Sequence, residues 1–251
     1  MIENSSNKYF KTECIQGVMM LYLDYSIFLE KETFVYKNEL LEFLDKIDSQ
    51  KEIKTLVISN EHSSFSFDQF KSKWNSIFEE SDYESAILRV FRSYNQVFLR
   101  LKSLEKVIIS VNSQPVPPML FCFSMVADLR FVSQEFYLNN DNCNMLNIPK
   151  GGAIFTEYNL MYLNPLKLLF YTDKVFPKEL YNKHIIDGVF DKEELKDKVL
   201  SIASRYNRFD YIEIEAVKIF EHKKQRKFEL ALQKEDEFLL TCIRKMKNKN
   251  K

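Results

Sequence analysis

The chain has 251 residues, 45% of them hydrophobic and 14% aromatic, enough to bury a full core as one domain or one domain plus a small extension. Its 36 basic and 36 acidic residues leave a net charge of zero, so no long-range field is available to hold a nucleic acid or a membrane surface, and the Lys- and Asn-rich end from Lys245 to Lys251 reads as a solvated tail. Cys14, Cys122, Cys143 and Cys242 lie far apart with no CxxC pairing, which argues against a zinc site and against a disulfide framework.

The opening residues, MIENSSNKYFKTE, lack the charged-then-apolar order of a signal peptide, and the longest apolar run, around Met119 to Met125, is far short of a membrane span. A cytoplasmic protein without metal or cofactor is therefore expected. In chain order, QGVMMLYL (Gln16 to Leu23) reads as a strand. Thr33 to Ile47 reads as a helix, with Phe34, Leu40, Leu41, Leu44 and Ile47 on roughly one face. KTLVIS (Lys54 to Ser59) is a short buried-type strand followed by a polar loop at Asn60 to Ser64. A long helix follows, in which Ile87, Val90, Phe91, Tyr94, Val97, Phe98, Leu101 and Leu104 recur at helical spacing, and KVIISV from Lys106 makes the next strand.

Beyond Ser133 the pattern loosens. Phe136 to Leu138 is a strand candidate, NNDNCN a loop, and from Ile154 helices dominate, with the stretch after Tyr211 almost free of breakers. Strands separated by helices predict an α/β fold with parallel strands. The division expected is an α/β core over 1–190 and a helical C-terminal extension over 191–251.

Four segments in order carry a family resemblance: KTLVISNEHSSFSFDQF, EKVIISVNSQPVPPMLFCFSMVADLRFVS, NIPKGGA, and PLKLLFYTDKVFPKELYNKHIIDGVFDKEELKDKVLSIASRY. Together, over about Thr33 to Tyr206, they resemble the crotonase, or enoyl-CoA hydratase/isomerase, superfamily. The resemblance implies a spiral of ββα units with a helical C-terminal region, a trimer or a dimer of trimers, and an acyl thioester of coenzyme A or an acyl-carrier protein as ligand. It also implies two backbone N–H groups directed at the thioester oxygen, where negative charge gathers as the α-carbon becomes enolate-like.

The family's first donor loop reads like F-S-A-G-x-D, and here it is Phe65-Ser66-Phe67-Asp68-Gln69-Phe70. Phe67 stands in the donor position, and Asp68 replaces a glycine of the kind that serves close backbone approach. The second donor loop is normally a glycine run, but here it is Pro117-Pro118-Met119. Proline has no N–H and suits the first turn of a helix, so Pro118 is expected to begin the helix carrying Leu120 to Met125 and to border the acyl pocket, leaving Met119 as the donor.

The resemblance further implies two glutamates in hydratases. The first would fall near Phe121 or Cys122, yet no carboxylate occurs between Val111 and Val126; the second would fall at Asn142, an amide and not a base. Asp141 beside it is the best surviving carboxylate, as acid or base in the pocket or as a turn residue bonding its own backbone. His62, ahead of the first donor segment, reads as an acid, a base or an exposed loop residue. Gly151-Gly152 reads as a helix start at the acyl pocket or as a tight turn. Asp128 matches a fold residue, His184 stands where the family has a glycine, and Cys122 in its apolar run reads as an inert thiol.

Two function classes stay open. One is a divergent enzyme on an acyl thioester, an isomerase, decarboxylase or hydrolase. The other is a non-catalytic subunit of the same fold that binds or stabilises a partner enzyme. Phe220, Phe228, Leu232, Phe238, Leu239 and Ile243 offer more apolar surface than a small helical extension needs, so a homotrimer or hexamer is expected.

Overall fold

The apolar runs around Met20, Val57 and Ile109 become adjacent strands in the middle of a six-stranded sheet. The computed structural model describes residues 4–29, 33–61, 63, 66–139, 150, 174–222 and 225–249. Strands β1 (Phe10–Ile15), β2 (Val18–Leu23), β3 (Thr55–Ser59), β4 (Val107–Asn112), β5 (Leu129–Ser133) and β8 (Gly188–Phe190) pair in that order. Only β1 and β2 are antiparallel; every later pair is parallel. Each new strand is added on the same side as the last, so the chain spirals in one direction without the reversal of a doubly wound sheet. A second small sheet joins β6 (Leu138–Asn139) to β7 (Lys174–Val175) antiparallel, and Leu138 also bridges to Val116.

The β1–β2 hairpin was not legible from sequence periodicity beyond its second strand. It turns on Gln16 and Gly17, both at positive φ (52° and 77°), the geometry of a two-residue hairpin turn matched to strand twist. A Cβ on Gly17 would sit 3.1 Å from the Asn207 side chain, whose Nδ2 donates to the Gln16 carbonyl at 2.8 Å. Strands β2, β3 and β4 are buried at every position, as parallel strands covered on both faces must be.

One face of the sheet carries the larger core. Helix α1 (Thr33–Asp48) contributes Leu40, Phe43, Leu44 and Ile47, with Leu41 partly buried, and α3 (Tyr83–Lys102) contributes the stripe from Ile87 to Leu101 that its spacing predicts. Between them in sequence lies α2 (Phe67–Glu79), a helix not among those expected from the sequence. After β4 come α4 (Pro118–Ser124) and, beyond β7, α5 (Pro177–Asn182). The other face is covered by α6 (Lys192–Ala203), whose Leu195, Val199, Leu200 and Ala203 meet Met20, Val57 and Ile109, and by Ile214 of α7 (Tyr211–His222).

The long final helix α8 (Gln225–Lys249) packs on its own chain. Phe228, Leu232, Leu239 and Ile243 join the main core, and Arg244 holds Glu84 of α3 through two bonds of 2.6 and 2.8 Å. Of the six apolar residues expected to serve a neighbour, these four are buried at home and only Phe220 and Phe238 stay exposed.

Candidate functional site

Strands β3 and β4 are parallel neighbours, so the loops at their carboxyl ends leave the sheet from the same edge, the usual place for a ligand in such sheets. Here the two loops are latched together. The Asn60 side-chain oxygen accepts the Ser113 N–H at 2.9 Å, the Asn60 N–H reaches the Val111 carbonyl at 3.2 Å, and Gln114 Nε2 donates to the Ser63 carbonyl at 3.2 Å. Asn60 and Ser113 are both buried. Buried polar groups persist when they are bonded, so these contacts fix the spacing of the two loops.

The first loop runs into α2 through a reciprocal cap: Ser66 Oγ accepts the Gln69 N–H at 3.3 Å and Gln69 Oε1 accepts the Ser66 N–H at 2.9 Å. Ser66 to Phe70 is therefore a helix start, and the expected loop conformation at Phe67 and Asp68 is corrected to the first helical turn. Ser66 three residues before Gln69, followed by Phe70, Trp74, Ile77 and Phe78 on one face, was the signal for it. Phe67 is the first helical residue, and its N–H donates to nothing among the described residues.

The second loop enters α4 through Pro117, extended at φ −72° and ψ 161°, with Pro118 in the first helical position. That is the helix start the sequence predicts. Leu120 and Phe121 both donate to the Pro117 carbonyl, at 3.0 and 3.1 Å, while Pro118 has no N–H. Met119 is then left with a backbone N–H that meets no acceptor among the described residues, although the residue is 2% exposed. A buried unpaired amide is rare in a folded protein and asks for a partner.

No family model matches the sequence, and neither does any curated protein. Solved structures do match it over nearly the whole chain. The enoyl-CoA hydratase of Bacillus halodurans superposes with a TM-score of 0.76 at 19% identity, covering 93% of this chain and 94% of that one. An enoyl-CoA hydratase/isomerase from Cupriavidus metallidurans gives 0.66 at 16%, covering 91% and 88%. DspI of Pseudomonas aeruginosa gives 0.70 at 11%, covering 94% and 96%. The chain has the crotonase fold.

Within that crotonase fold, α4 is an apolar wall. All seven of its residues are buried, and none is a carboxylate. Cys122 has its thiol pushed well above the usual range, first by burial and then by Glu235, which keeps it protonated and unreactive. Beneath α4 lie two buried tyrosines. Tyr94 donates its hydroxyl to the Met119 carbonyl at 3.0 Å, and Tyr25 donates to Asn112 Oδ1 at 3.3 Å, while Asn112 Nδ2 donates to Ser124 Oγ at 2.9 Å. Burial pushes Tyr25 up to about 12 and Tyr94 also well up, so both remain neutral hydrogen-bond donors.

A charged cluster closes the back of this wall. Lys150, 1% exposed, reaches Glu235 at 3.0 Å and Asp236 at 2.7 Å, both on α8, and Asn95 donates to Asp236 at 2.9 Å. Burial raises the Asp236 carboxyl above its ordinary value, and Lys150 opposes that rise. The Lys150 ammonium also stands 5.5 Å from the Phe91 ring and 5.6 Å from that of Tyr94. Sequence spacing gave no hint of this cluster, since its members are scattered over the chain.

Of the site residues expected from sequence, Phe67, Pro118 and Met119 stand at the helix starts just described; His62, Asp141, Asn142, Gly151 and Gly152 lie outside the described residues. Asp128 has a structural place: its carboxylate accepts the Ile108 N–H at 2.7 Å and pairs with Lys218 of α7. His184 has φ 54°, the left-handed conformation that glycine adopts most readily. Among the described residues no group of three or more His, Cys, Asp or Glu could hold a metal ion, and no helix is long and apolar enough to cross a membrane.

Proposed function

We propose that the protein binds an acyl thioester, of coenzyme A or of an acyl-carrier protein, with the thioester oxygen on the N–H groups of Phe67 and Met119. The observation that carries this reading is the Met119 amide, at the buried start of α4 and without an acceptor among the described residues, where the segment leading into α4 is bonded to Asn60 and Ser63 ahead of α2, in a chain with the crotonase fold. Fixed backbone dipoles stabilise developing charge there without reorganising.

Ordinary two-glutamate hydration is not part of this function, because no carboxylate stands between Val111 and Val126 and the amide Asn142 takes the second position. If the protein turns over a thioester, the chemistry is isomerisation, decarboxylation or hydrolysis, with Asp141 or His62 as acid or base and Gly151 and Gly152 at the acyl pocket. The apolar wall of α4 also favours a second reading, a non-catalytic subunit that binds an acyl group or stabilises a partner enzyme. Assembly as a homotrimer or hexamer is supported by α7, which exposes Ile212, Val217, Ile219 and Phe220 to solvent in the single chain. The cytoplasm is the location consistent with these ligands. Calorimetric titration with butyryl-CoA tests the reading: saturable binding is expected, together with negligible loss of the conjugated enoyl thioester when crotonyl-CoA is supplied. Turnover of crotonyl-CoA in the ordinary enzymatic range of about 1 to 1,000 per second would overturn it.

A further inference from the structure

Helix α4 starts in an unusual way, and what holds that start identifies a residue outside the expected site. The helix opens on two prolines, has no side-chain cap, and runs for only 7 residues, a length that frays unless tertiary contacts fix it. Its far end is pinned through Ser124 to Asn112 and Tyr25. Its near end is held, besides the Leu120 and Phe121 amides on the Pro117 carbonyl, by the Tyr94 hydroxyl on the Met119 carbonyl at 3.0 Å.

Tyr94 is a fixed post. It is 0% exposed, and its ring is wedged among Phe28 at 5.5 Å, Phe98 at 5.9 Å and Phe123 at 5.5 Å. The carbonyl it holds and the amide that meets no acceptor among the described residues belong to the same residue, on either side of one Cα. Fixing the oxygen therefore limits rotation about Met119 and sets where its N–H points. We propose that Tyr94 is the positioning residue of the Met119 donor, acting on a bound thioester oxygen only through the Met119 backbone. This rests on the acyl-thioester reading above.

A positioning role separates from a structural one by comparing two ligands, butyryl-CoA and S-butyl-CoA, which have the same chain length and differ in the carbonyl oxygen. The wild type is expected to prefer the thioester. Tyr94→Phe keeps the ring and removes the hydroxyl; the preference is expected to fall by about tenfold, as misdirected groups in a site commonly cost this much or more, with S-butyl-CoA affinity unchanged. Phe28→Leu disturbs the same aromatic cluster but leaves the hydrogen bond, so a lower melting temperature with an unchanged preference is expected. A Tyr94→Phe protein that keeps the preference within about twofold overturns the inference, as does a Phe28→Leu protein that loses it equally. A wild type with no preference for the thioester would overturn the acyl-thioester reading itself, and the inference with it.

Discussion

Replacing Phe67 by proline removes one proposed donor together with the Phe67 ring. Phe67 is the first residue of α2, where the amide has no partner inside the helix and the fixed φ of proline fits. Ser66 before it has φ −81° and ψ 163°, the extended conformation that a following proline requires, and the Ser66–Gln69 cap does not involve the Phe67 amide. The helix should therefore form. Loss of the partly buried ring, which packs on the main core, costs about 1–2 kcal/mol, offset in part by about 0.4–1 kcal/mol from the stiffer unfolded chain. Phe67→Ala loses the same ring and keeps the N–H, so the two variants differ chiefly in the donor. A net hydrogen bond of about 0.5–1.5 kcal/mol makes butyryl-CoA bind about 2- to 13-fold more weakly to Phe67→Pro than to Phe67→Ala in calorimetric titration. If the protein turns over a thioester, the rate difference should be larger, about 100- to 1,000-fold. Equal affinities and equal rates in two folded variants would refute the donor assignment.

Lys150→Met removes the buried cation that Glu235 and Asp236 share, and a loss of about 3–5 kcal/mol in urea unfolding is expected. The sign of its pH dependence follows from Asp236. A carboxyl raised in the folded state binds more protons folded than unfolded, so its contribution is fully present below the unfolded value near about 3.9 and is lost as pH rises through the folded value. Removing Lys150 raises Asp236 further, so the deficit should grow as pH rises above the ordinary carboxylate value, by at most about 1.4 kcal/mol per pH unit for one proton; a deficit independent of pH would refute this account. The double variant Ile212→Glu with Val217→Glu places charge on the exposed face of α7 and should shift the light-scattering mass at micromolar concentration from an oligomer to a monomer. A monomeric wild type would remove the basis for assembly through that face.

Periodicity alone placed α1, α3 and the central strands, because each contrasts an apolar face with a polar one or forms a short unbroken apolar run. The helix start at Pro118 was legible too, since proline has no N–H to lose there and its ring presets φ. So was the lack of a carboxylate across the second donor segment, a matter of composition alone. Helix α2 is encoded by the Ser66–Gln69 cap and the stripe of Phe70, Trp74, Ile77 and Phe78, but its first turn coincides with a segment that the family resemblance marks as a loop. Partners distant in sequence were decided only by the folded chain. Tyr94 meets the Met119 carbonyl 25 positions away, and Lys150 meets Glu235 across 85. The same holds for α8, whose Phe228, Leu232, Leu239 and Ile243 show an apolar face in sequence but not which surface receives it. Hydrophobic burial is proportional to area and carries no direction, so the pattern says that a face will be covered, and only the packed geometry says by what.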